Sequence, residues 1–253
     1  MIKVIAENAL KERLRRKELY IVAVLGFLCV VIFSCCGGTI TVDGELLTGF
    51  KNLAPVMLTI IHAISGALAI ALSLHTIPNE YERKTSHLIW IRGVAQWKYH
   101  AALTLANVIS SLFAALIMYG GVILFALIKG DSVNILRFLP AYFLMALSIA
   151  IISIFTSLLS IQLPAMAAGL IACACYLLGI LHGVLDIVRN IVGGFSGQLL
   201  SVLLKILPDL NGMQQQAWHM AAGEPVDFHT VFKGLLLLYV LTIFYFIFKK
   251  KEA

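Results

Sequence analysis

From Phe138 to Leu185 the chain runs 48 residues without a single Asp, Glu, Lys or Arg. One crossing of a bilayer's hydrocarbon core takes about 20 residues. The run is therefore too long for one membrane helix and too apolar to face water. Gln162 and Pro164 divide it, because proline lacks the amide hydrogen that a continuing helix needs. Two spans follow, 138–161 and 164–185. Charge-free windows elsewhere predict four more, at 19–37, 53–76, 101–128 and 231–248, the last with Lys233 snorkelling at its outer end. The expected fold is an all-α integral membrane bundle of six transmembrane helices, one membrane domain over residues 1–253.

Composition agrees. The chain is 60% hydrophobic and 13% charged, with a mean hydropathy of +0.95, whereas a soluble domain is about one quarter charged. The net charge of +6 does not indicate nucleic acid, because the basic residues cluster beside apolar runs, where anionic lipid and topology signals sit. Cys29, Cys35, Cys36, Cys173 and Cys175 show no Cys-x-x-Cys spacing and read as small buried apolar side chains rather than metal ligands or disulfides. "IFSC" at 32–35 is a poor cleavage signal, with bulky Phe33 two residues before Cys35, so 19–37 reads as a retained span.

With the N-terminus inside, thirteen basic residues face inward: Lys3, Lys11, Arg13, Arg15, Arg16, Lys17, Arg83, Lys84, Arg92, Lys98 and Lys249 to Lys251. Six face outward: Lys51, Lys129, Arg137, Arg189, Lys205 and Lys233. That bias places both termini in the cytoplasm. Residues 1–18 read as an amphipathic interfacial helix. Ile2, Ile5, Ala6, Ala9 and Leu10 form its apolar face, and Lys11, Arg13, Arg15, Arg16 and Lys17 lie at the membrane interface. The outer segment 186–230 carries "IVGGFSGQLLSVLL", too short for a full crossing, and reads as re-entrant or interfacial helices ended by Pro208-Asp209.

The segment at 78–100 interrupts two charge-free spans with charges of both signs and two tryptophans. Leu88, Ile91, Val94 and Ala95 recur at helical spacing and leave Glu82, Arg92 and Gln96 outward, which predicts a short amphipathic helix at the inner face. Its mixture of Glu80, Tyr81, Glu82, Arg83, Lys84, Thr85, Arg92 and Trp97 suits a protein partner better than lipid alone.

Other motifs are weaker. No Gly-x-x-x-x-Gly-Lys-Ser/Thr occurs, so no phosphate loop is present. "GFSG" at 194–197 matches the nucleophile motif of rhomboid proteases, but the last span supplies no histidine base. His62 and His75 fall about 140° apart on one helix, which does not suit a shared haem. His182 and Asp186, four apart, read as a hydrogen-bonded pair.

Taken together, the chain resembles the six-span permease subunits of ABC-2-type transporters. The loop of that family reads Glu-x-Glu-x-Gly-Thr, then an apolar helix, then Pro-x-x-Arg and Gly-Lys. This chain has Glu80, Glu82 and Thr85, then Leu88 to Ile91, then "RGVAQWKYHA". Lys84 stands at the Gly, Gly93 at the Pro, Gln96 at the Arg, and His100-Ala101 at the Gly-Lys. The basic start, six spans, re-entrant-like segment and "ILPDLNG" at 206–212 follow in the family's order. The resemblance implies a permease of a bacterial plasma membrane that exports an amphipathic, lipid-like, peptide or drug-like substrate. A second permease subunit and separate ATPase subunits would be its partners. ATP and Mg would bind those ATPases, with no cofactor in this chain. The loop residues Glu80, Tyr81, Glu82, Arg83, Lys84, Thr85, Leu88, Ile91, Arg92 and Trp97 would couple the ATPase to the spans. A rhomboid-like protease and a membrane sensor or scaffold are the alternatives.

Overall fold

The computed structural model describes residues 2–15, 17–36, 41–42, 45–46, 50–82, 91, 93–129 and 135–247, with some side chains inside those ranges, chiefly in the second helix and around the hairpin, also outside the description. Arg16, Arg83, Lys84, Thr85, Leu88 and Arg92 lie outside it. The described chain is helical apart from a two-rung antiparallel hairpin, Thr41–Val42 with Glu45–Leu46.

In order, the helices are α1 (Ile2–Arg15), α2 (Lys17–Cys36), α3 (Phe50–Leu74), α4 (Thr76–Glu82), α5 (Gln96–Lys129), α6 (Phe138–Gln162), α7 (Ala165–Ile180), α8 (His182–Val192), α9 (Gly194–Ile206), α10 (Leu210–Ala222) and α11 (Phe228–Ile247). Among the described residues, four helical stretches are long and apolar enough to cross a membrane: Leu53–Glu82, Gln96–Ile128, Phe138–Gln162 and Phe228–Tyr245. The pair α7 and α8 makes a fifth if its 71° bend is counted within one span. The helix α2 overlaps residues 19–37, expected as the first span, and many of its side chains are outside the description.

The centre of the bundle is α6. Its buried face carries Ala141, Ala146, Ser148, Ser153, Ser157 and Ser160, and small side chains let neighbouring helices come close without lipid between them. Packed around it, α3, α5 and α10 complete the main core of Met57, Ile61, Met118, Tyr119, Met145 and Leu210. The helix ends where expected. Leu163 is extended (φ −109, ψ 153), as a residue before proline is driven to be.

Three expectations change. The fifth span, expected at 164–185, ends at Ile180, and the chain turns at Leu181 (φ −82, ψ 7). Freedom from charge marks the run as apolar but carries no instruction against a bend. The third span starts at Gln96 rather than 101. At 34 residues and about 1.5 Å per residue it is roughly 50 Å long, well beyond a core of about 30 Å. The outer segment is also more divided than expected. Amphipathic α8 and α9 lie largely exposed and meet at Gly193 (φ 57, ψ −171), a region that only glycine enters readily. In contrast α10 tucks Leu210, Met213, Gln214, Ala217 and Ala221 into the bundle.

Two aspartates begin the final helices. Asp209 accepts from Gly212 N–H at 2.7 Å. Asp227 accepts from the Thr230 hydroxyl at 2.6 Å, the His229 amide at 3.0 Å and the Thr230 amide at 3.3 Å. Those bonds, the Thr230 hydroxyl foremost, hold the Asp227 carboxyl below its ordinary value. A carboxyl depressed in the folded state stabilises at pH above its unfolded value and loses that contribution as pH falls through the folded one. The Thr230 amide should therefore keep its hydrogen-exchange protection from neutral pH down through the ordinary carboxylate range and lose it only in stronger acid. Asp227→Ala should remove that protection at every pH.

Candidate functional site

The extension of α5 beyond a bilayer's thickness brings Gln96, Trp97, Tyr99 and His100 beside α4. There a polar latch joins the two elements on either side of the charged segment. The Tyr81 hydroxyl accepts from Gln96 Nε2 at 2.7 Å and lies 2.8 Å from His100 Nε2. The hydroxyl thus bridges the amide and the imidazole. One turn away, the Tyr99 hydroxyl donates to Glu80 Oε2 at 2.7 Å. Tyr99 and His100 are buried, and Ile77 sits beneath them with Leu103 and Leu158.

The N-terminal helix locks onto the same place. Ile5 and Ala9 pack on the cluster of Ile77, Tyr99 and Leu103, and Ala6 is buried. The apolar stripe of α1 thus meets protein. A stripe reads the same in sequence whether lipid or a helix covers it. Arg13, expected at the lipid interface, turns inward and donates to the Leu72 carbonyl at 3.0 Å and to the Thr76 hydroxyl. A cation there complements the carbonyl end of α3. Lys11 is exposed and pairs with Glu7 at 2.9 Å, while Arg15 and Lys17 are exposed.

From the latch a buried polar seam runs along α6. The Thr76 hydroxyl lies 3.1 Å from Asn107 Oδ1, and Asn107 Nδ2 donates to Ser157 at 3.4 Å. Ser73 meets Ser153 at 2.9 Å, and Thr104 meets Tyr245 of α11 at 2.7 Å. Farther along sits His62, 1% exposed. Ser148 gives its proton to the Met145 carbonyl at 2.7 Å, so it accepts from His62 Nε2 at 2.7 Å. That leaves Nδ1 as a buried acceptor with no hydrogen-bond donor among the described residues, where the nearby Ser65 hydroxyl is likewise unmatched. The Tyr176 hydroxyl donates to the His62 carbonyl at 2.7 Å, and Gln214 of α10 donates to Thr59 at 2.5 Å.

The charged segment is therefore two-sided. Glu80 and Tyr81 face the bundle, while Glu82 is exposed and Ile91 is 82% exposed. Val94 is buried and Ala95 exposed, so the apolar repeat expected at 88–95 does not share one buried face. Trp97 is half-buried, with Lys98 Nζ 5.5 Å from its ring centre. The remaining residues expected here, Arg83, Lys84, Thr85, Leu88 and Arg92, lie outside the described residues.

The other motifs resolve differently. Ser196 is exposed in the first turn of α9. His182 pairs with Asp209 rather than Asp186, which takes Arg189 at 3.0 Å instead. His75 is exposed where His62 is buried. Among the described residues no group of three His, Cys, Asp or Glu is placed to hold a metal. Sequence reading missed Asn107, Gln214 and Tyr176 altogether. Asn107 stood out only as a lone amide inside an otherwise apolar helix, which is the one signal that could have found it. No family model matches the chain, and no curated protein matches it.

Proposed function

We propose that the chain is the membrane-spanning permease subunit of an ATP-driven transporter of the ABC-2 type. It would have six spans, both termini in the cytoplasm, and energy supplied by a separate ATPase subunit. The latch supports this reading best. An element that receives a mechanical push must be exposed on one side and rigidly joined to moving helices on the other. Glu82 and Ile91 provide the exposed side. Tyr81 to Gln96 and His100, Glu80 to Tyr99, and Arg13 to Thr76 provide the joint, reaching α1, α3 and α5 at once. Such an arrangement fits two-state rigid-body coupling across an interface. The cargo would be amphipathic, because the described membrane-length windows contain few charges to accompany an ion, and export to the outer face is the direction the family resemblance favours.

A photo-crosslinking amino acid at Ile91, or at Glu82, should trap a nucleotide-binding ATPase from the cells that make the protein. The same group at Thr230, at the opposite end of the bundle, should not. The purified chain should hydrolyse no ATP until that ATPase is added. Sustained hydrolysis by this polypeptide alone, or an Ile91 adduct that contains no ATPase, would overturn the reading.

A further inference from the structure

Pro208 leaves a gap in α9 that His182 fills. In a regular helix the Leu204 carbonyl bonds the amide four residues on, but that residue is Pro208, which has no amide hydrogen. The preceding bond, Leu207 N–H to the Leu203 carbonyl at 3.0 Å, is intact. His182 Nε2 lies 3.2 Å from the Leu204 oxygen. A carbonyl only accepts, so Nε2 carries the proton in the neutral ring and Nδ1 presents a lone pair. Nδ1 lies 3.7 Å from Asp209 Oδ1, an atom that also caps α10 through Gly212 N–H. Neutral His182 therefore sets two acceptors against each other. Protonation at Nδ1 turns the same contact into an ion pair that joins α8, α9 and the first turn of α10.

We propose that His182 is a proton-operated clasp on α10. It is closed when the ring is charged and released when the ring is neutral. The other charged groups around it are accounted for. On its own helix Asp186 is taken by Arg189 at 3.0 Å. On α9 Lys205 is exposed. From α10 there is Asp209, and at its far end His219 is held by Glu224 at 2.5 Å. The sequence of α7 has no charged residue. Because α10 carries Gln214 to Thr59 and packs on α3 and α6, proton binding at His182 sets how firmly this helix seats in the bundle. The clasp does not depend on what, if anything, the bundle transports.

The test is backbone hydrogen exchange of the full-length chain in lipid nanodiscs, corrected for the intrinsic pH dependence of exchange. Protection of the Gly212 amide and the α10 first turn should rise roughly three- to tenfold between pH 7.5 and 5.5 in the native sequence. His182→Gln keeps a donor for the Leu204 carbonyl, and Asp209→Asn keeps the cap. Each should fold, and each should abolish the rise. In 15N-histidine spectra, neutral His182 should show its proton on Nε2. A pH-independent α10 in the native chain, a rise that survives either substitution, or neutral His182 protonated on Nδ1 overturns the proposal. Survival in both variants would transfer the response to His219 with Glu224 or to His229 with Asp227.

Discussion

Gly66→Ala should destabilise the bundle by about 2–3 kcal/mol, while Gly120→Ala should leave it unchanged or slightly more stable. Both glycines sit inside long helices, where alanine is intrinsically favoured by about 1 kcal/mol, so propensity predicts the same gain at both. Surroundings separate them. A Cβ on Gly120 meets nothing within 4 Å, whereas one on Gly66 runs into the Cζ and hydroxyl of Tyr176. That ring cannot swing aside cheaply. It is 5% exposed, and its hydroxyl donates to the carbonyls of His62 at 2.7 Å and Ala63 at 3.4 Å. Moving it sacrifices those bonds and strips Tyr176 from the contact between α3 and α7. Gly66→Ala with Tyr176→Phe removes the hydroxyl from the collision and frees the ring, which still carries Cζ, to shift without losing hydrogen bonds, so it should be less unstable than the sum of the two single changes. Thermal unfolding of all four proteins in one detergent measures this. Equal effects at Gly66 and Gly120 would mean that α3 and α7 are not in contact there.

The same contact shows what a sequence discloses and what it conceals. Gln162 and Pro164 announce the break between α6 and α7, because proline's missing amide acts on its own helix wherever the chain goes. Apolar windows announce the four long stretches for the same reason, since lipid compatibility is a property of each segment. Relations between segments are different. Nothing at Gly66 points to Tyr176, more than a hundred residues away. Leu210–Ala222 falls in the segment 186–230 that the sequence reading places outside the spans, yet Gln214 turns inward to Thr59. Short polar helices are concealed this way whenever a neighbouring hydroxyl satisfies their amides. Arg13 misled in the opposite sense, since a basic residue beside an apolar run signals lipid headgroups by default. Here the Leu72 carbonyl in the last turn of α3, which also accepts from the Thr76 hydroxyl, claims it. His182 had a plausible partner four residues along the chain, and only the fold reveals that Pro208 created a better use for it.

On the proposed permease reading, the largest functional effects should come from the charged segment, and the structure divides them into two kinds. Glu82→Lys combined with Ile91→Asp alters only exposed groups, so it should weaken ATPase binding at least about tenfold through repulsion and lost apolar contact. Bundle stability should be unchanged. Tyr81→Phe leaves the exposed side intact and removes the hydroxyl that bridges Gln96 and His100. The ATPase should bind the variant normally, but transport per ATP consumed should fall about fivefold, the range for losing roughly 1 kcal/mol of linkage between the pushed element and α5. Glu80→Gln should resemble Tyr81→Phe, because the Glu80 carboxylate receives the Tyr99 hydroxyl at 2.7 Å. Co-purification separates binding from transmission, and vesicle transport normalised to ATP hydrolysis measures the latter. If Tyr81→Phe and Glu82→Lys with Ile91→Asp lose the same quantity in the same proportion, the segment has no distinct docking and transmitting sides. If neither loses anything, it is a loop between two spans and the permease reading fails with it. The division follows from chemistry visible at each residue: the Glu82 carboxylate and the Ile91 side chain stand exposed, while the half-buried Tyr81 hydroxyl is already engaged between an amide and an imidazole.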